Sequence, residues 1–120
     1  MALNRGNLGF TTQVGSGVTS AVLTVGSAQT CYVKSILMFN RNQTGTQNAV
    51  IYVVENSGGS AGTASSIHEV ARIGITTNDT FFFEPAYPIT LNTNGDTIQI
   101  YNEGNVTDSL NVLVLGDKEV

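Results

Sequence analysis

The sequence holds a single cysteine, no tryptophan, one histidine and only five lysine or arginine residues among 120. One cysteine excludes an intrachain disulfide. Cys31 opens an apolar segment, so it reads as a small buried hydrophobe rather than a reactive thiol. The basic residues Arg5, Lys34, Arg41, Arg72 and Lys118 are scattered. Binding phosphates requires clustered lysine and arginine, so neither nucleic acid nor a membrane surface is expected as a partner. His68 has no second histidine or nearby cysteine with which to complete a zinc site. No metal and no cofactor is expected. Met1–Gly6 lacks a signal-peptide core, and no apolar run approaches a membrane span, so the chain reads as directly synthesised, soluble and unprocessed.

Charge of either sign is also scarce. Only 12% of residues are charged, about half the usual share, and the formal net charge is −4. The polar positions are mostly Thr, Asn, Ser and Gln. A neutral polar surface suits dense, permanent packing between subunits.

What the sequence does hold is β signal. Apolar runs alternate with Gly, Asn, Asp, Ser and Thr clusters, which are turn chemistry. Strands are expected near 8–14, 20–25, 31–40, 48–55, 67–75, 79–84, 88–91, 96–102 and 109–116. Their spacing predicts one domain over 1–120: an all-β, antiparallel two-sheet sandwich, jelly-roll-like, of about eight strands. Residues 1–7 are expected as an extended N-terminal arm. The best helix candidate is a turn within 63–71, with Ile67, Val70 and Ala71 on one face. Arg41–Gln47 is expected to close a hairpin, and Asn92–Asp96 and Asn102–Asn105 to form turns. Pro85 and Pro88 cannot donate to a ladder, so their stretch is expected at an edge or a crossing.

Several motifs have a chemical and a structural reading. Gly58-Gly59-Ser60-Ala61-Gly62 spells the G-x-S-x-G of a hydrolase nucleophile elbow, after the strand-like Ala49–Val54. No acid lies between Ser60 and His68, and the residues that follow make a poor rigid helix, so a mobile glycine loop is expected and no enzyme activity. His68 is expected on a partly exposed strand or turn. Asn92, Asn94 and Asp96 have the spacing of a calcium loop's opening, but the leading Asp and closing Glu are missing, and a turn is expected. Asn42-Gln43-Thr44, Asn78-Asp79-Thr80 and Asn105-Val106-Thr107 match glycosylation sequons and read as turns. The carboxylates Glu55, Glu69, Asp79, Glu84, Asp96 and Asp108 fall mostly at strand ends, and nothing nominates a catalytic pair.

The most informative feature is a surplus of apolar faces. Ile36-Leu37-Met38-Phe39, Val50–Val54, Phe81-Phe82-Phe83 and Val112–Leu115 are apolar on both faces of a strand. Each sheet of a sandwich has one inner face, so the second needs cover from a loop or another subunit. Phe81 and Phe83 must share one face and Phe82 the other. One set fills the core; the other, with Tyr87, is the leading candidate for a subunit contact. The candidate interface residues are Phe81, Phe82, Phe83, Tyr87, Tyr52, Met38, Leu113 and Leu115.

Tyr32-Val33-Lys34-Ser35-Ile36-Leu37 with Phe39-Asn40, the valine-rich 49–54, Ser57–Gly62, Ile89-Thr90-Leu91 and Gly95-Asp96-Thr97-Ile98 together resemble small all-β virion proteins of tailed bacteriophages. The resemblance runs from about residue 30 to the C-terminus. Glu55-Asn56 and Gly26-Ser27-Ala28 stand where that group often has proline-containing turns. It implies a capsid decoration (cement) protein, or a neck, tail or fibre accessory subunit. Such a protein would be made in the host cytoplasm, bind the outer capsid surface as a dimer or trimer, and partner the major capsid protein. It carries over no catalytic residue. A host-glycan-binding module is a further alternative, with Tyr87 and Tyr101 as the aromatics to test.

Overall fold

The computed structural model describes residues 3–9, 11–41, 45–103 and 109–120. Ten strands run through them: β1 (Leu3–Asn7), β2 (Thr12–Val14), β3 (Thr19–Thr24), β4 (Thr30–Asn40), β5 (Gln47–Val54), β6 (Glu69–Ile75), β7 (Thr80–Phe83), β8 (Ile89–Leu91), β9 (Thr97–Asn102) and β10 (Leu110–Glu119). The first sheet has the order β1-β10-β4-β7, with β2 also on β10 and β8 also on β4. The second has the order β3-β9-β5-β6. Every pairing is antiparallel.

The connectivity makes this a jelly roll. β1 and β2 lie along one edge of β10, and β7 and β8 along one edge of β4, so each pair acts as one interrupted strand. That leaves eight strand positions in two four-stranded sheets, as the sequence predicts. Except within those two interrupted strands and between β5 and β6, successive strands alternate between the sheets.

Period-two burial explains the core. On β4, Cys31, Val33, Ile36, Met38 and Asn40 are buried while their neighbours are more exposed. Leu110, Val112 and Val114 of β10 meet them from the same sheet, and Ala49, Ile51, Ile98 and Ile100 from the other. Burial pushes the Cys31 thiol up, with Lys118 opposing more weakly. Like Gln47 and Asn102, Asn40 is a polar member of this interior. Its Nδ2 donates to the carbonyls of Ile75 (2.8 Å), Thr76 (3.1 Å) and Gly45 (3.1 Å), tying the end of β4 to the end of β6 in the facing sheet.

Four expectations are corrected. Leu3–Asn7 is an edge strand on β10, not an arm; its sequence has no apolar alternation, and main-chain pairing to an open edge needs none. Arg41–Gln47 is not a hairpin, because β4 and β5 belong to opposite sheets. The helical turn expected within 63–71 is found as one 3₁₀ turn, Ser66–His68, but Ile67, Val70 and Ala71 share no helix face: the last two belong to β6 and Ile67 is 86% exposed. Met38 is wholly buried in the core and belongs to no surface. The expected edge at Pro85 and Pro88 is found: they interrupt the outermost position of the first sheet, between β7 and β8.

Candidate functional site

The two sheets treat their outer faces differently. On the second sheet the outward residues Val50 and Val54 of β5 and Thr97 and Gln99 of β9 are nonetheless buried. Cover comes from the long β5–β6 connection. Gln99 Nε2 donates to the carbonyl of Gly62 at 3.0 Å and to Thr97 Oγ1 at 2.9 Å. Gly62 packs so closely on Val54 that an added Cβ would lie 3.0 Å from a Val54 methyl. The second apolar face of β5 is therefore hidden within the chain.

That connection contains the G-x-S-x-G stretch. Ser57 and Ser60 exchange backbone hydrogen bonds of 2.7 and 3.2 Å across Gly58 and Gly59, both with positive φ (61° and 86°). This is a tight hairpin tip of the kind only successive left-handed residues make, which explains the glycines. His68 Nδ1 accepts from the Ser65 N–H at 3.0 Å and lies 3.3 Å from Ser65 Oγ, so the imidazole serves the 3₁₀ turn.

The connection is anchored at Asp96. Its Oδ1 accepts from the Asn56 N–H (2.9 Å) and Asn56 Nδ2 (3.1 Å), and its Oδ2 from the Thr93 N–H (3.1 Å). Burial alone would raise this carboxyl; the hydrogen bonds from Asn56, Thr93 and the Asn92 backbone outweigh it and hold the carboxyl below its ordinary value. Asn92–Asp96 is thus a turn whose carboxylate is spent on the protein's own amides. Among the described residues no group of three or more His, Cys, Asp or Glu is placed to hold a metal ion.

Among the described residues no connection gives the outer face of the first sheet such cover. Leu37 pairs with Leu113 on one side and Phe82 on the other, so the three form a continuous row pointing away from the core. Phe39 and Asn111 lie in the next row, and Leu115 beside Ser35 in the other direction. Phe82 is 51% exposed; Leu37, Phe39, Leu113 and Leu115 are half-buried against one another. At the far end the face turns polar. A shallow cleft of about 440 Å³ is lined by Leu3, Tyr32, Lys34, Pro88, Asp117 and Glu119. There Lys34 pairs with Asp117 at 2.6 Å, and the Tyr32 hydroxyl donates to Glu119, a bond that raises the phenol above its ordinary value.

The candidate interface residues divide accordingly. Phe82, Leu113 and Leu115 share this face. Phe81 and Phe83 take the opposite side of β7; Phe83 packs on the core and Phe81, at the rim, is 40% exposed. Tyr87, 85% exposed, projects from the link between β7 and β8 on the same sheet edge. Tyr52 is separate. It lies on the outer face of the second sheet, beside a cleft of about 350 Å³ with Thr19, Gly62, Thr63, Ala64 and Gln99. Leu37 and Phe39 are the members the sequence reading left out. They stand in an apolar run whose alternation is plain, but nothing local says which alternate set faces out.

Of the three sequons, Asn78-Asp79-Thr80 lies in the β6–β7 turn with Asn78 at φ 56°, while those at 42–44 and 105–107, the Asn102–Asn105 turn beyond Glu103, and Asp108 lie outside the described residues.

The fold defines a jelly-roll β-sandwich with one apolar outer face. No family model matches the chain, and no curated protein matches it. Among solved structures, it is similar to a chain in the structure of infectious bursal disease virus Gt strain, at 10% identity and TM-score 0.37. It is similar also to one from the Gx strain, at 13% identity and TM-score 0.33. The match takes in 98% of this chain in each case but only 32% and 30% of the viral chains, so this chain spans about a third of their length. Likeness this remote carries no functional argument. No helix among the described residues is long and apolar enough to cross a membrane.

Proposed function

We propose that the chain is a structural subunit of a virus particle, a capsid decoration (cement) protein of a tailed bacteriophage that docks on the outer shell and stabilises it. One observation carries this reading. The row Phe82–Leu37–Leu113, with Phe39 and Leu115 around it, is an outward apolar face that the described chain leaves open, while the second sheet's outer face is covered by the chain's own connection. Each large apolar side chain left in water forgoes about 1.5–3 kcal/mol, which docking recovers. Burying that face between shell subunits raises the free energy needed to rupture the shell. The jelly roll is compatible with the reading but does not choose it, since lectin and cupin domains share the architecture. The resemblance of the segment from about residue 30 onward to small phage virion proteins supports the choice.

The test is co-sedimentation of purified protein with phage heads, alongside sedimentation equilibrium of the protein alone. Association with heads, lost on Phe82→Ser with Leu113→Ser, is the expected result. A chain that stays monomeric at high concentration and fails to sediment with heads overturns the proposal. Labelled antibody on intact virions separates the head from a neck, tail or fibre position.

A further inference from the structure

We propose that the open edge of β7 takes up an extended segment of a partner polypeptide as an added strand, and that this segment carries lysine or arginine on both sides of an apolar stretch. The inference rests on the reading of the chain as an assembly subunit and names what its partner must present.

The backbone comes first. β7 has β4 on one side and no strand on the other among the described residues. The Asn40 N–H donates to the Asp79 carbonyl at 2.9 Å, which fixes the alternation of the ladder. The Asp79 carbonyl and the backbone groups of Phe81 and Phe83 therefore face β4, the Asp79 N–H being bonded to the Thr76 carbonyl, and Thr80 and Phe82 turn theirs to the open edge. The Thr80 N–H is bonded to Asp79 Oδ1 at 2.9 Å, so the edge offers the Phe82 N–H and C=O and the Thr80 C=O. Sheet edges are normally blunted by proline, charge or cover. Pro85 and Pro88 do this further along the same edge, yet Thr80–Phe83 contains neither proline nor charge, and Phe81 and Phe82 are 40% and 51% exposed.

Charge selects the occupant. The strand is bracketed by Asp79 and Glu84, both exposed. Arg72, on the neighbouring β6, is held by Glu69 and Glu103, and Lys34 by Asp117. A second copy is a poor guest. A two-fold axis preserves the faces of the sheet, so self-pairing of β7 must centre on Phe81 or on Phe82. Either register places Asp79 of one copy one residue from the position of Glu84 of the other, on alternate faces, so self-pairing gathers four carboxylates along one short edge with no cation among them. A segment with cations at its ends gives each of the two carboxylates an opposite charge instead.

The test uses two fluorescent peptides, Lys-Val-Thr-Phe-Thr-Val-Lys and its Glu-flanked counterpart, titrated against the whole chain by anisotropy. The Lys-flanked peptide is expected to bind about tenfold more tightly, the preference disappearing in Glu84→Lys, which leaves one charge of each sign, and reversing when Asp79→Lys is added. Phe82→Val, which keeps the outward N–H, retains binding; Phe82→Pro, which removes it, loses binding. Amide exchange at Phe82 in the unaltered chain decides the matter if the proline variant does not fold: slowing by the Lys-flanked peptide is expected. Equal binding of both peptides, unchanged binding by folded Phe82→Pro, unchanged Phe82 exchange, or self-association lost in Phe82→Pro would each overturn the proposal. Because the peptides need no virion, failure here is distinct from failure to sediment with heads.

Discussion

Asn56 donates two hydrogen bonds, from its backbone N–H and its side-chain amide, to the same oxygen of Asp96. The pair joins the start of the β5–β6 connection to the turn before β9. It thereby holds in place the cover over Val54 and Gln99.

The Asp96 carboxyl is therefore a source of pH dependence. Its folded-state pKa lies below the ordinary value, so the folded chain prefers the ionised form. The stabilisation is fully present above the unfolded-state pKa of about 4 and is lost as pH falls through the lower folded value. Asp96→Asn is expected to cost about 1–3 kcal/mol at neutral pH. It should also show a smaller fall in stability than the natural chain between about pH 5 and 2. Urea unfolding at a series of pH values measures both, and parallel curves for the two proteins would refute the assignment.

Gly95 supports the same junction from the other side. Its φ is +95°, and a Cβ there would lie 2.8 Å from the carbonyl carbon and oxygen of Ser60. Gly95→Ala is expected to lose about 2 kcal/mol or more, from backbone strain and displacement of the connection. Gly9→Ala, where a Cβ meets nothing within 4 Å, should change stability by less than about 0.5 kcal/mol. Thermal unfolding of the two variants makes the comparison.

Met38 and Phe82 should separate stability from attachment. Met38 is wholly buried, and Met38→Ala is expected to cost about 2–5 kcal/mol while leaving particle binding intact in the folded fraction. Phe82 is half exposed, and Phe82→Ser should cost under about 1 kcal/mol while abolishing binding. Unfolding curves and head co-sedimentation on both variants give the answer; loss of binding by both in proportion to stability would remove the case for the face.

Asn40 predicts a link between the sheets. Its removal in Asn40→Ala takes a donor from the buried bond to the Ile75 carbonyl and from the Thr76 carbonyl, which keeps the Asp79 N–H, and should cost about 1–3 kcal/mol. Hydrogen exchange should quicken first at the end of β6, since that is where the lost bonds lay.

Eight of the nine strands expected from the apolar runs are present near their expected bounds, because each run is long enough to fill a strand and is bounded by residues that favour turns; the one expected over 8–14 is realised only at Thr12–Val14. The proline-marked edge was equally legible, since a residue without an N–H fits only where no ladder bond is needed. β1 was missed because Leu3–Asn7 has no pattern of its own; its pairing comes from the open side of β10. Ile67 and the Arg41–Gln47 connection were misjudged for a related reason. A polar, glycine-containing link looks the same whether it returns to its own sheet or crosses to the other.

Sequence by itself determined the period-two alternation, the turn positions and the fact that Phe82 must oppose Phe81 and Phe83. Only the tertiary structure decided which of each strand's two faces looks inward and which outer face is covered. Alternation labels two sides of a strand without naming them, and burial names them only once both sheets have closed on one another. So the β5–β6 connection takes Val54 and Gln99 out of reach, and Leu37 and Leu113 are left beside Phe82 on the open side.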